Sequence, residues 1–208
     1  LLSIPTFSET FKPTKFTVKF YSMGLSNSDR SELFKVLDNS EGVEVDLVKA
    51  GSIQKLADGI KPVEGTFTHI YAVVGNEYTV AGSKNSCYIK AGSYDKASSG
   101  TLTGWAAHTT NESESGDAVL TEQDFDPGNN SFGPVTPNTE ITVQGTKVSD
   151  MELYLTNSSA PYTTSDDSSL SRDRSLYFGE LASPIIITDT SGGDVIITFD
   201  ASEGAEFD

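Results

Sequence analysis

The sequence predicts an all-β fold, a jelly-roll or immunoglobulin-like β-sandwich with one or two short helices and long surface loops. Three observations carry that expectation. Short runs of alternating apolar and polar residues recur along the chain, divided by turn residues roughly every ten positions, which is the pattern of sandwiches and barrels. No long stretch keeps a helical period. Ser, Thr, Gly and Asn are abundant, with 18 glycines among 208 residues, so breakers are frequent and long helices are not expected.

The chain opens LLSIPTFSETF, an apolar arm on an otherwise polar, acidic protein. A free terminus is usually frayed and polar unless something ties it down. The expected organisation is therefore an arm over residues 1–12, followed by one sandwich domain over 13–208. A start at Leu1 rather than Met fits export followed by removal of a leader. The first strand is KFTVKFY, with Phe16, Val18 and Phe20 on one face and Thr17 and Lys19 on the other. Next comes NSDRSELFKVLD, where Asp29 and Glu32 have capping-box spacing and Leu33, Val36 and Leu37 form a narrow stripe, predicting a short helix. VEVDLV returns to alternation through Val43, Val45 and Leu47. In AGSIQKLADG a second short helix is expected, capped by Ser52 and stopped by Gly59.

TFTHIYAVV is apolar on both faces in its second half and reads as a central strand. EYTVAG, SCYIKA, TEITVQG and MELYLT follow as strands, and then SLYFGEL, PIIITDT and DVIITFDA, the last two joined by a hairpin through Ser191–Gly193. Two segments break this rhythm, near 93–137 and 157–174. Both are rich in Ser, Thr, Asn and acidic residues, and both are expected as outward-facing loop insertions.

Charge excludes several functions. Thirty acidic residues against 14 basic ones give a net charge of −16. Binding to nucleic acid needs clustered Lys and Arg against phosphate, so neither nucleic acid nor an anionic lipid surface is an expected partner. No apolar run is long enough to span a bilayer, and no membrane insertion is expected of the mature form. The single cysteine, Cys87, excludes an intrachain disulfide and reads as a buried small hydrophobe in a strand.

Catalytic signatures are missing from the sequence. Of the two histidines, His69 lies in a strand, where cross-strand packing or plain surface exposure is the expected role. His108 lies in GWAAHTT without a nucleophile at a recognisable spacing. No enzymatic activity is expected, and no cofactor is required. TEQDFDPGNNSFG places Asp124, Asp126, Asn129 and Asn130 around Gly128, an oxygen-rich loop of the kind that suits calcium, although the terminal Glu of a helix-loop-helix site is missing. Asn111, Asn129 and Asn157 head Asn-x-Ser sequons that would accept glycans in an exported chain. Trp105, near His108 and Tyr94, would suit sugar stacking.

VDLVKAGSIQKLADGIKPVEGTFTHIYAVVGN resembles secreted bacterial β-sandwich domains, the pilin-like and biofilm-fibre subunits of the TasA/camelysin type. In that pattern Pro62 and Gly65 shape a turn, and Thr66, Phe67 and Thr68 enter the sheet. The resemblance covers about thirty residues and implies export and polymerisation by a donated N-terminal strand. The expected function is thus a structural subunit of an extracellular filament or surface array, whose partners are copies of itself. Leu1, Leu2, Ile4, Phe7 and Phe11 are the expected subunit-interface residues, and whether the arm inserts in its own domain or a neighbour's stays open. The alternative is a secreted carbohydrate-binding or adhesin module.

Overall fold

A single strand of 17 residues, Gly65–Ala81, is the spine of the molecule. A computed structural model describes residues 9–48, 60–61, 63–95, 108–121, 131–135, 140–162, 173–190, 195–200 and 205–207. In chain order the strands are β1 (Glu9–Phe11), β2 (Lys15–Ser26), β3 (Leu33–Asp46), β4 (Gly65–Ala81), β5 (Ser83–Lys84), β6 (Cys87–Ile89), β7 (Gly92–Asp95) and β8 (His108–Thr109). They continue as β9 (Ala118–Thr121), β10 (Ser131–Val135), β11 (Glu140–Val143), β12 (Thr146–Thr156), β13 (Arg174–Ile187), β14 (Ile197–Asp200) and β15 (Ala205–Phe207). The all-β expectation holds: among the described residues the only helical element is a 3-10 turn, Glu112–Glu114, capped by the Asn111 side chain.

The main sheet has ten strands, with the path β14-β11-β12-β13-β4-β2-β3 and with β7, β9 and β10 joined from the side. Every pairing is antiparallel except β7 with β9. TFTHIYAVV and EYTVAG fuse into β4, and SLYFGEL fuses with the start of PIIITDT into β13. Fusion requires the ladder to absorb mismatched spacing, and it does so by bulges. Residues Gly75–Glu77 of β4 stand opposite Lys19 alone, and Asn39–Gly42 of β3 stand opposite Tyr21 alone. Gly42, at φ +74°, makes the second excursion without a side-chain penalty. These breaks fall at one level and bend the sheet there. On β13, the run from Leu181 to Pro184 bulges out between the pairs Glu180–His69 and Ile185–Phe67, which is where Pro184, lacking an N–H, is tolerated.

Two corrections follow. The helix expected from Asp29 is a strand: Leu33, Phe34 and Leu37 sit on β3, paired with Ser26, Leu25 and Met23. The capping residues serve the β2–β3 turn instead. Asn27 Oδ1 accepts the Glu32 N–H at 3.1 Å and Asp29 Oδ1 accepts the Ser31 N–H at 3.0 Å, while Arg30 takes a left-handed φ of 61°. A full ladder against β2 outweighs a weak local helix preference. The hairpin expected between PIIITDT and DVIITFDA is also not formed, since β14 pairs with β11 through Val143–Ile197 to Glu140–Asp200. The helix expected near Ser52 lies outside the described residues.

The core occupies mainly one face of the sheet. Leu25, Phe34, Phe67, Ile70, Leu181 and Ile187 pack with Val143, and Phe20, Met23, Leu37, Val45 and Val74 form an adjoining cluster. Ile197 of β14 borders both, so the sheet curls over this face. A separate cluster at the far end of β4 joins Phe11, Val80, Ile89, Ala118 and Leu120. Part of the expected 93–137 loop is thereby core: β9 pairs with β4 and buries Ala118 and Leu120.

Candidate functional site

The arm is rooted in the fold. β1 pairs with β15, Glu9 opposite Phe207 and Phe11 opposite Ala205, so the two ends of the described chain bind each other. Phe11 is 6% exposed in its own chain's core, Pro13 is fully buried, and Thr14 N–H reaches the Ala81 carbonyl at 2.8 Å. Phe11, expected at a subunit interface, is instead buried in a cluster of its own chain. Leu1, Leu2, Ile4 and Phe7 lie outside the described residues.

The ends of the sheet path, β3 and β14, each pair on one side only among the described residues. Along β3 the apolar side chains Val36 and Val43 are only partly covered, as is Leu47 just beyond it. On the other end Val195 and Ile197 are partly covered, and Ile196 is 51% exposed. Elsewhere along β3 the side chains of Lys35, Asp38, Glu41 and Glu44 are exposed.

The face of the sheet away from the main core carries the densest polar chemistry. Cross-strand pairing places His69 and Tyr71 of β4 beside Glu180 and Phe178 of β13, with Glu152 of β12 next in line. The His69 ring stacks on Phe178 at 4.6 Å and 11°, and its Nδ1 is 2.8 Å from Thr68 Oγ1. Arg30, from the β2–β3 turn, lies 5.0 Å over the Phe178 ring and 5.7 Å over Tyr154, whose hydroxyl donates to Glu152. Ser28, Arg30, His69, Glu152, Phe178 and Glu180 line a cleft of about 210 Å³. Burial holds the His69 imidazole below its ordinary pKa. Glu180 and Glu152 pull it upward and Arg30 presses it further down. A cleft this small, with both charge signs and an aromatic floor, suits a small polar group rather than a drug-sized ligand.

Beside it, Tyr162 packs edge-on against Tyr71 at 5.6 Å and its hydroxyl is 2.9 Å from Ser22 Oγ. Tyr71 is 1% exposed, and burial raises its pKa. The start of the 157–174 segment thus folds onto the sheet instead of facing outward. A second cleft, about 380 Å³, lies at the bend of the sheet and is lined by Lys19, Tyr21, Glu44, Glu77 and Asp173. There the Arg174 guanidinium stands 3.3 Å from the centre of the Tyr21 ring.

The remaining sequence candidates are scattered. Asp124, Asp126, Asn129 and Asn130 lie outside the described residues, as does Trp105. Among the described residues no three His, Cys, Asp or Glu side chains converge as a metal site, and no helix is long and apolar enough to cross a membrane. Asn111 is exposed, with its Oδ1 accepting from Ser113. Asn157 is 8% exposed and its Oδ1 accepts the N–H groups of Ser159 and Ala160, which leaves little room for a glycan. Cys87 is half-buried and His108 is an exposed residue on β8. The Arg30–His69–Glu152–Glu180 group was not anticipated as a unit. The period-2 pattern does place Glu152 with Tyr154, and Phe178 with Glu180, on single faces; what alternation cannot give is which faces meet. No family model, curated protein or solved structure matches the chain.

Proposed function

We propose that the chain is a structural subunit of an extracellular filament or surface array, assembled by insertion of the N-terminal arm into a neighbouring copy. The observation that carries this reading is the arm's root. Phe11, Pro13 and the β1–β15 pairing hold residue 9 at a fixed point, so a segment carrying Leu1, Leu2, Ile4 and Phe7 is tethered to the fold at its C-terminal end. Backbone pairing would supply affinity and alternate side chains specificity, as in β-strand addition. Each anchor would contribute about 1.5–3 kcal/mol if fully buried, before ordering costs. The curled sheet fits an incomplete sandwich of the jelly-roll or immunoglobulin kind, which an added strand would complete. The acidic surface suits an exported protein that must stay dispersed until it assembles.

The test is negative-stain electron microscopy of the intact chain beside a variant lacking residues 1–8, each with calcium and with chelator. Filaments from the intact chain alone are the expected result. Filaments lost only on chelation would move the joint to the Asp124–Asn130 loop, and monomers throughout would overturn the reading. The second reading, a carbohydrate-binding module, draws on the Arg30–His69 cleft, and would be favoured by a monomer whose His69 resonances shift on adding sugars.

A further inference from the structure

The seven strands of the main path join by six antiparallel steps, so the two end strands, β3 and β14, run in the same direction. A curled sheet whose ends are parallel cannot be closed by joining those ends without a parallel ladder, the rarer and slightly weaker pairing. One strand antiparallel to both would keep the alternation unbroken. The ends border common apolar clusters, with Val36 and Val43 partly covered on one side and Val195 and Ile197 on the other. Among the described residues, the seam between them therefore offers backbone paired on one side only, and half-covered apolar side chains, to a single incoming strand.

We infer that this seam is the receptor for the N-terminal arm, Leu1–Ser8, and that the arm enters it antiparallel from a second copy. The inference rests on the filament reading and adds the site and the polarity. Direction decides between the two sources. β3 runs from Leu33, opposite Ser26, to Asp46, opposite Thr17, so its Asp46 end lies beside the start of β2, where the arm is rooted. A chain's own arm, lying in its own seam and leading into that root, would run toward the Asp46 end and so parallel to β3. To lie antiparallel in its own seam it would have to double back, leaving eight residues to supply a strand, a turn and the return. An arm entering antiparallel comes instead from the Leu33 end, from the root of a copy stacked beyond it. Such a contact is head-to-tail and does not close on itself, so it propagates as a fibre whose axis follows the strands.

Polarity gives the test. In a Cys87→Ser background, chains carrying Leu2→Cys or Phe7→Cys are mixed with chains carrying Lys35→Cys or Glu44→Cys, two exposed β3 positions near its opposite ends. A short bismaleimide is then added and dimers are counted on a denaturing gel. The expected result is cross-linking of Leu2→Cys with Glu44→Cys and of Phe7→Cys with Lys35→Cys, at least about fivefold above the swapped pairs. Preference for the swapped pairs, or cross-links confined within one chain when both cysteines are placed in it, overturns the inference. Filaments seen by microscopy with no cross-link to β3 also overturn it, while leaving the filament reading intact. No filament from the parent chain removes the reading and the inference together.

Discussion

At the scale of single residues, His69 is the most informative side chain. Its place in a strand left cross-strand packing and plain surface exposure both open, and its ring stacks on Phe178, diagonal to it on β13. Its chemistry comes from groups that no local pattern ties to it: Arg30 from a turn, Glu152 from β12 and Glu180 from β13. Because burial lowers its pKa from 6.5, the folded state favours the neutral ring. The stability so gained is present above pH 6.5 and is lost as pH falls through the lowered value. Chemical denaturation at pH 7.5 and 5.5 is expected to show a loss at the lower pH that is smaller in His69→Phe, the difference not exceeding about 1.4 kcal/mol per pH unit. An equal loss in both proteins would mean that His69 does not carry the dependence.

At the scale of elements, the turn between β11 and β12 is the simplest to test. Gln144 and Gly145 both have positive φ, 51° and 76°, the two-residue hairpin geometry that favours Asn-Gly. Glycine meets that demand and glutamine does not. Gln144→Asn is expected to raise stability by about 0.5–1 kcal/mol, read from the urea midpoint at unchanged slope. TEITVQG was legible as a strand, but the hairpin that joins it to β12 at Gln144–Gly145 was not. The β2–β3 turn misled for the converse reason, since Asp29 and Glu32 carry a helix signal that the ladder between Leu33–Leu37 and Ser26–Met23 overrides. The fused strands β4 and β13 were readable only as pieces, because a bulge looks in sequence like the gap between two strands.

At the scale of the whole molecule, charge sets conditions for folding and, on the proposed filament reading, for assembly. A net charge of −16 on 208 residues repels itself over about 30 Å in 0.01 M salt and about 10 Å in 0.1 M. Raising sodium chloride from 0.01 to 0.3 M is expected to lift the thermal midpoint by about 2–4 °C, which corresponds to about 1 kcal/mol at this chain length. If the proposed filaments form, the same change is expected to shorten the lag before they appear. A midpoint that does not move would mean the acidic residues are spread too evenly for repulsion to count.

The class and the local grammar could be read along the chain: strands where apolar and polar residues alternate, a strand running into Gly145, an acidic composition, and an apolar arm over residues 1–12. Those features follow from chain geometry within a few residues, and a period of two needs no knowledge of the partner strand. Only the tertiary structure decided which strands pair, that β14 joins β11 and leaves β13 unpaired with it, that Phe11 belongs to its own core, and that the Arg30–His69 cleft exists. Pairing is chosen by the total burial of distant faces and by bulges that reset the register, and these are properties of the closed sheet rather than of any one segment.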